Sequence, residues 1–199
     1  MELVNIKMCG LSRPEDIEAA NELLPDYIGF VFWEKSRRYV SDEAAAELKG
    51  KLDKRIKAVG VFLDDDISHI KKLLEDGVID MIQLHGHEDE EYIKSLRQMT
   101  QKTIIQAFVI HDRDDFKKAE KSSADYILLD SGTGSGETFD WELLKNAERP
   151  YFLAGGLNPK NVSEAVVRLH PYAVDVSSGI ETDGYKDPDK MKSFMDSIK

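Results

Sequence analysis

The sequence predicts an α/β protein folded as a single compact (β/α)8 TIM barrel domain over residues 1–199. Three observations predict it. Short apolar runs alternate strictly with amphipathic stretches, the pattern of a parallel sheet covered by helices. Eight such strand–helix units fill the 199 residues, and eight is the count that closes a barrel. The turn after the first run, Cys9-Gly10-Leu11-Ser12, lacks the G-x-G-x-x-G expected of an open doubly wound sheet.

The first strand is Leu3–Met8, ending at Cys9-Gly10. Ser12 or Arg13 caps the helix that follows, Pro14 occupies its first turn, and Ile17, Ala20, Leu23 and Leu24 form its apolar face. Tyr27–Phe32 is the second strand; its exit, Trp33–Tyr39, is polar and basic, and Ser41 opens a helix ending near Gly50. Ile56–Leu63 is the third strand, followed by Asp64–Asp66 and a helix with Ile67, Ile70, Leu73 and Leu74 in phase. Met81–Leu84 leads into His85-Gly86, with helix over Glu88–Met99. Thr103–Ile110 is rich in β-branched residues and precedes a charged helix, Asp112–Lys121.

The sixth strand, Tyr126–Leu129, is wholly apolar, as a strand buried on both faces should be. It ends on Asp130 and runs into glycines at 132, 134 and 136, with a helix expected from about Asp140, its N-cap, to Ala147. Tyr151–Ala154 ends in Gly155-Gly156 and is followed by a helix over Pro159–Leu169 capped by Asn158. Tyr172–Val176 ends in Ser177-Ser178-Gly179, and Asp187–Ile198 closes the chain.

Hydrophobic residues make up 41% of the sequence, enough for one sizeable core. The net charge of −11 argues against nucleic acid and anionic membranes as partners. A small anion remains compatible with it, because backbone amides bind phosphate whatever the overall charge. The start of the sequence goes straight into a strand pattern, and no apolar run reaches the ~20 residues of a membrane span. A cytoplasmic protein is expected. The single cysteine, Cys9, excludes an intramolecular disulfide and a cysteine-based zinc site.

A barrel keeps its active site at the C-terminal ends of its strands. Here those ends carry Cys9, Phe32 with its basic exit, Leu63-Asp64, Gln83 to His85, Ile110-His111, Asp130, Gly155-Gly156 and Asp175 through Gly179. Most are small or polar, while the strand starts are duller, and the asymmetry points to an enzyme. The seventh and eighth strands end in residues without bulky side chains, which lets backbone amides approach an anion. The expectation is a phosphate site at Gly155, Gly156, Ser177 and Ser178. Cys9 and Asp130 suit a general base and a general acid if their proton affinities are tuned. Across a barrel mouth they would face two sides of a small substrate.

In order along the chain, Lys7-Met-Cys9-Gly, Gly29-Phe-Val-Phe, Ser36-Arg-Arg38-Tyr-Val-Ser, Val59-Gly-Val-Phe, Gln83-Leu-His-Gly, Leu129-Asp130, Gly134-Ser-Gly-Glu-Thr-Phe-Asp-Trp, Leu153-Ala-Gly-Gly-Leu-Asn-Pro and Val174-Asp-Val-Ser-Ser-Gly resemble the phosphoribosylanthranilate isomerase family. The resemblance runs from the first strand to the eighth. Met8 stands where the family usually has Ile, the loop after Asp130 is short, and Glu137 lies where relatives often carry a basic residue.

The resemblance implies an Amadori rearrangement in tryptophan biosynthesis, from N-(5′-phosphoribosyl)anthranilate to 1-(2-carboxyphenylamino)-1-deoxyribulose 5-phosphate. It implies Asp130 as the acid that opens the ribose ring and Cys9 as the base that removes the C2 proton. It further implies Arg38 on the anthranilate carboxylate and Gln83 and Asp175 on sugar hydroxyls. No cofactor or metal is expected, the partner is a small phosphosugar substrate, and the protein is expected to be a monomer or homodimer.

Other residues carry weaker signals. Arg37 and Arg38 are adjacent, so on an extended exit they would point apart, and the Ser-x-Arg spacing favours Arg38. His85 shares a side with Gln83 and suits a structural or ligand-rim role. His87, His111 and His170 read as surface residues, and Trp141 as packing the start of the sixth helix. The run Asp64–Asp66 suits a helix N-terminus better than a calcium loop. Competing readings are another phosphosugar barrel or one that has lost catalysis. Indoleglycerol-phosphate synthase would need a strand-end lysine pair, a pentose-phosphate epimerase would need an acid where Cys9 stands, and loss of catalysis sits badly with both Cys9 and Asp130.

Overall fold

Eight parallel strands close on themselves in chain order in the computed structural model, which describes residues 4–130, 141–144 and 147–198. They are β1 (Asn5–Cys9), β2 (Tyr27–Val31), β3 (Lys57–Phe62), β4 (Met81–Leu84), β5 (Ile104–Val109), β6 (Tyr126–Asp130), β7 (Tyr151–Leu153) and β8 (Ala173–Val176). Each lies where an apolar run predicts it, within a residue or two. β1 pairs with β8, closing the ring with Lys7 opposite Asp175, and Cys9 faces Gly29 of β2.

The strands alternate, as the two-residue period of a strand requires. One set of side chains, including Ile6, Met8, Ile28, Phe30, Ile82, Leu84, Ile127 and Leu129, packs outward against the helices. The other set fills the barrel: Val59, Met81, Ile105, Leu128, Phe152 and Ala173 form an interior layer. The tyrosines Tyr27, Tyr126 and Tyr172 pack against its lower side, with the Tyr126 and Tyr172 rings stacked at 4.6 Å. Cys9, Val31 and Val61 form a smaller layer toward the C-terminal ends.

Among the described residues seven α-helices surround the sheet: α1 (Pro14–Leu23), α2 (Asp42–Lys51), α3 (Ile67–Glu75), α4 (Glu90–Met99), α5 (Arg113–Glu120), α6 (Val162–Leu169) and α7 (Pro188–Asp196). Side-chain caps set five of their starts. Ser41, Asp66, Asp89, Asp112 and Asp187 each accept a hydrogen bond from a first-turn amide. The aspartate run before α3 thus supplies a cap at Asp66, while Asp64 pairs with the exposed His87.

Several sequence expectations need correction. Of the two expected caps of α1, Arg13 is the N-cap, and Asp16 reaches back to accept from its amide and from that of Ser12. Leu24 leaves the apolar face; it ends α1 in the left-handed conformation (φ 54°) and is 37% exposed. Glu88 is not helical: it turns inward and accepts from the amides of Asp64 and Gly86, tying two loops together. α6 begins at Val162 rather than Pro159, since Asn158 and Asn161 use their side chains to close a local turn first. Between β6 and β7 the described residues form a short 3₁₀ turn, Trp141–Leu144, in place of a full helix. Trp141 is buried there with the Arg168 guanidinium 5.3 Å over its ring. The expected cap Asp140, the Gly132–Gly136 loop and Glu137 lie outside the described residues.

One element was not foreseen. After a 3₁₀ turn at Ser178–Ile180, β9 (Glu181–Thr182) and β10 (Tyr185–Lys186) form a hairpin before α7. Its two-residue turn, Asp183-Gly184, has positive φ at both positions, 52° and 88°. That is the geometry for which Asp-Gly is the usual choice, so the dipeptide was a readable signal.

Candidate active site at the barrel mouth

One cavity of about 630 Å³ opens at the C-terminal ends of the strands. Cys9, Arg38, Gln83, His85, Asp130, Gly155, Gly156, Asp175, Ser177 and Ser178 all line it. Every site residue expected from the sequence is therefore brought to one place. Of the other strand ends, Leu63 also lines it, while Phe32, Asp64 and Ile110-His111 do not reach it; Val109 lines it in place of Ile110. Trp33, Val31 and Val61 add an apolar wall on the side of Arg38.

Cys9 and Asp130 sit on strands three places apart around the ring, both facing its interior. Burial pushes the Cys9 thiol above its ordinary value, and the Lys7 charge beside it pulls the other way. Lys7 itself is fully buried inside the barrel, where its Nζ donates to Asp175 Oδ1 at 2.9 Å. Burial alone would lower the affinity of Lys7 for its proton, but the charge and hydrogen bond of Asp175 outweigh it and hold the ammonium above the ordinary lysine value. In sequence Lys7 reads as a break in an apolar run and as part of the Lys7-Met-Cys9-Gly block, and neither assigns it a role.

Gln83 is buried, with its Nε2 2.9 Å from His85 Nδ1. Its Oε1 has no hydrogen-bond donor among the described residues. Burial pushes His85 below the ordinary imidazole value, although the charge of Asp130 favours the protonated ring. A neutral ring follows near neutral pH.

The exit of β2 is a tight turn, not an extended segment, and this corrects the expectation that Arg37 and Arg38 point apart. Both reach Glu181 on β9. Arg37 Nη2 lies 2.6 Å from Oε2, while Arg38 grips both oxygens through Nε at 2.6 Å and Nη2 at 2.9 Å. Lys186 on β10 donates to Glu181 Oε1 at 2.7 Å and to the carbonyl of Ser177 at 3.0 Å. Burial alone would push Glu181 up, but its bonds to Arg38 and Lys186 hold it below the usual carboxylate value. Neither Glu181 nor Lys186 was singled out by sequence, because their partners lie more than a hundred residues away or across an unforeseen hairpin.

Gly155 and Gly156 adopt φ of 87° and 65°, a conformation side chains disfavour, which turns the backbone after β7 toward the cavity. The Gly156 carbonyl is held from behind by the side-chain amides of Asn158 and Asn161 at 3.1 and 2.9 Å. Ser177 donates its hydroxyl to the Cys9 carbonyl at 3.0 Å, which fastens the loop after β8 to the end of β1. The two loops meet where Gly179 stands against the Leu157 carbonyl, and Lys186 donates beside them to the Ser177 carbonyl.

Residues 6–197 match the family described as N-(5′-phosphoribosyl)anthranilate (PRA) isomerase. The N-(5′-phosphoribosyl)anthranilate isomerase of Thermoanaerobacter sp. strain X514 is 45% identical over 204 residues, covering 99% of this chain and 98% of its own. Among solved structures, a phosphoribosylanthranilate isomerase in complex with reduced 1-(o-carboxyphenylamino)-1-deoxyribulose 5-phosphate superposes with a TM-score of 0.87 at 34% identity, over 98% of both chains. Monomers of the dimeric phosphoribosylanthranilate isomerase of Thermotoga maritima give a TM-score of 0.88 at 35% identity, again over 98% of both.

Proposed function

The chain belongs to the N-(5′-phosphoribosyl)anthranilate isomerase family, and we propose from that premise that Asp130 and Cys9 run its reaction as general acid and general base. The reaction is the Amadori rearrangement of N-(5′-phosphoribosyl)anthranilate to 1-(2-carboxyphenylamino)-1-deoxyribulose 5-phosphate in tryptophan biosynthesis. The convergence of the acid, the base, the arginine and the two small-residue loops on one cavity carries the proposal.

Asp130 protonates the furanose ring oxygen, and the C1–O bond breaks to leave an open-chain iminium ion. Cys9, as thiolate, takes the C2 proton; the C–H electron pair forms the C1–C2 double bond and neutralises the nitrogen. The enolamine then tautomerises to the ketone, so atoms and charge balance without an oxidant. Each proton transfer is worth about 10²–10⁴ in rate for a positioned group.

The anthranilate carboxylate lies against Arg38, whose guanidinium has five N–H donors and keeps some beyond the two bound to Glu181, and the aromatic ring rests on Val31, Val61, Leu63 and Trp33. Backbone amides around Gly155, Gly156, Ser177 and Ser178 hold the phosphate. Gln83 Oε1 accepts from a sugar hydroxyl, with Asp175 contributing beside it, and His85 stays a neutral rim residue. The reaction asks for no cofactor or metal. The enzyme acts as one barrel domain in the cytoplasm and, as a monomer or homodimer, takes a small phosphosugar rather than nucleic acid or membrane; no described helix is long and apolar enough to cross a membrane.

Expression in a tryptophan auxotroph lacking this step, joined to kinetics of Cys9→Ser and Asp130→Asn, tests the reading. Wild type should restore growth, and each variant should lose about 100-fold or more in kcat while product binding changes little. Near-normal turnover in either variant removes that residue from its role.

A further inference from the structure

We propose that Lys7 is a positioning residue for the reaction, standing as the fixed counter-ion that keeps the Cys9 sulfur available as a thiolate, with Asp175 holding the ammonium in place. The proposal rests on the reading of Cys9 as the base.

The arrangement begins with spacing. Lys7 and Cys9 are two apart on β1, so both side chains enter the barrel. Lys7 is fully buried, and the only carboxylate oxygen within hydrogen-bond reach of its Nζ among the described residues is Asp175 Oδ1, opposite it on β8. A buried ammonium without a partner is strongly unfavourable, so Asp175 accounts for its burial. It does not account for its aim.

That comes from β2. Gly29, opposite Cys9, has no side chain; a methyl built there would lie 2.7 Å from Cys9 Sγ and 3.3 Å from Lys7 Nζ. The sulfur and the ammonium therefore lie side by side over bare backbone. The charged groups that act on the sulfur are Lys7 from its own strand, Asp175 from β8 and Lys186 from the hairpin; β2 presents none. Lys7 and Asp175 cancel while Cys9 is a thiol. Once the thiol has released its proton to solvent, Lys7 neutralises the sulfur, and Asp175 keeps the ammonium from turning away.

Cys9 is the only cysteine in the sequence, so the rate of alkylation by iodoacetamide against pH titrates this thiol alone. Two variants separate a counter-ion from a merely structural lysine. Asp175→Asn removes the carboxylate beside the ammonium and leaves the Cys9 thiolate to serve as its counter-ion, so the alkylation midpoint should fall. Lys7→Met combined with Asp175→Asn removes both charges without orphaning either, so the midpoint should rise by about one pH unit or more. The acid limb of kcat/KM should rise with it, kcat near neutrality should drop by about tenfold, and raising the pH should restore it. A double variant with the wild-type circular dichroism spectrum and the wild-type midpoint overturns the proposal, as does a shift of both variants in the same direction. Failure of the base reading shows separately: Cys9→Ser would then turn over normally, which removes the catalytic role of Lys7 whatever the alkylation midpoint does.

Discussion

Arg38 donates to both oxygens of Glu181, through Nε at 2.6 Å and Nη2 at 2.9 Å, across 143 residues of sequence. The pair joins the loop after β2 to the hairpin after β8, so the anthranilate and phosphate ends of the proposed site share one carboxylate. Glu181→Gln should raise KM several-fold with a smaller change in kcat, because Arg38 loses its anchor and not its charge. Stability should fall by about 2–4 kcal/mol, toward the low end for breaking a buried pair, since Arg37 is mostly exposed. Steady-state kinetics and urea unfolding measure both, and an unchanged KM would release Glu181 from any part in placing Arg38.

Gly29→Ala should damage the base without touching the substrate pockets. The added methyl would meet Cys9 Sγ at 2.7 Å, closer than packed atoms stand, so the sulfur must shift. We expect kcat to fall by about tenfold or more, as an ångström-scale displacement of a reacting group can do. Equal kcat in the two proteins would mean that the sulfur has room the geometry denies it.

Gly156→Leu addresses the phosphate. At φ 65° a leucine is strained by about 1–2 kcal/mol, and its side chain would crowd the amides proposed to face the anion. KM should rise by about tenfold or more while a folded protein is retained. The placement of the phosphate fails if KM stays at the wild-type value.

His69 gives a stability signature remote from catalysis. Its Nε2 lies 2.8 Å from Asp42 and its Nδ1 2.9 Å from Asp65. Partial burial pulls the imidazole down, but bonding to both carboxylates outweighs it and raises it above its ordinary 6.5. The folded state thus holds the proton more tightly than the unfolded chain. Its contribution is complete below about pH 6.5 and disappears as pH rises through the raised value. Melting curves of wild type and His69→Gln should differ most at acid pH and converge at alkaline pH; curves that stay parallel would rule this out.

Much of the candidate site was legible because chemistry at strand ends is visible in sequence. Once eight apolar runs are counted, the residue that follows each is fixed within a position or two, and Cys9, Asp130, Gly155 and Ser177 all stand there. Those residues then line one cavity. Boundaries suffered where side chains competed with backbone: Asn158 and Asn161 delay α6, and Glu88 leaves α4 to bind loop amides.

By itself the sequence determined the fold class, the order of the elements and the family, all properties of local pattern and spacing. Which face of each strand looks into the barrel was another matter. A strand buried on both sides shows no alternation to read, so nothing local says that Lys7 and Cys9 point inward while Met8 points out. Closure of β1 onto β8 decides it, and in doing so places Lys7 against Asp175, residues 168 apart. Glu181 is the same case: its three cations come from two loops that only the finished barrel brings together. Charges that distant are paired by topology, because the pairing exists only once the interior has excluded water.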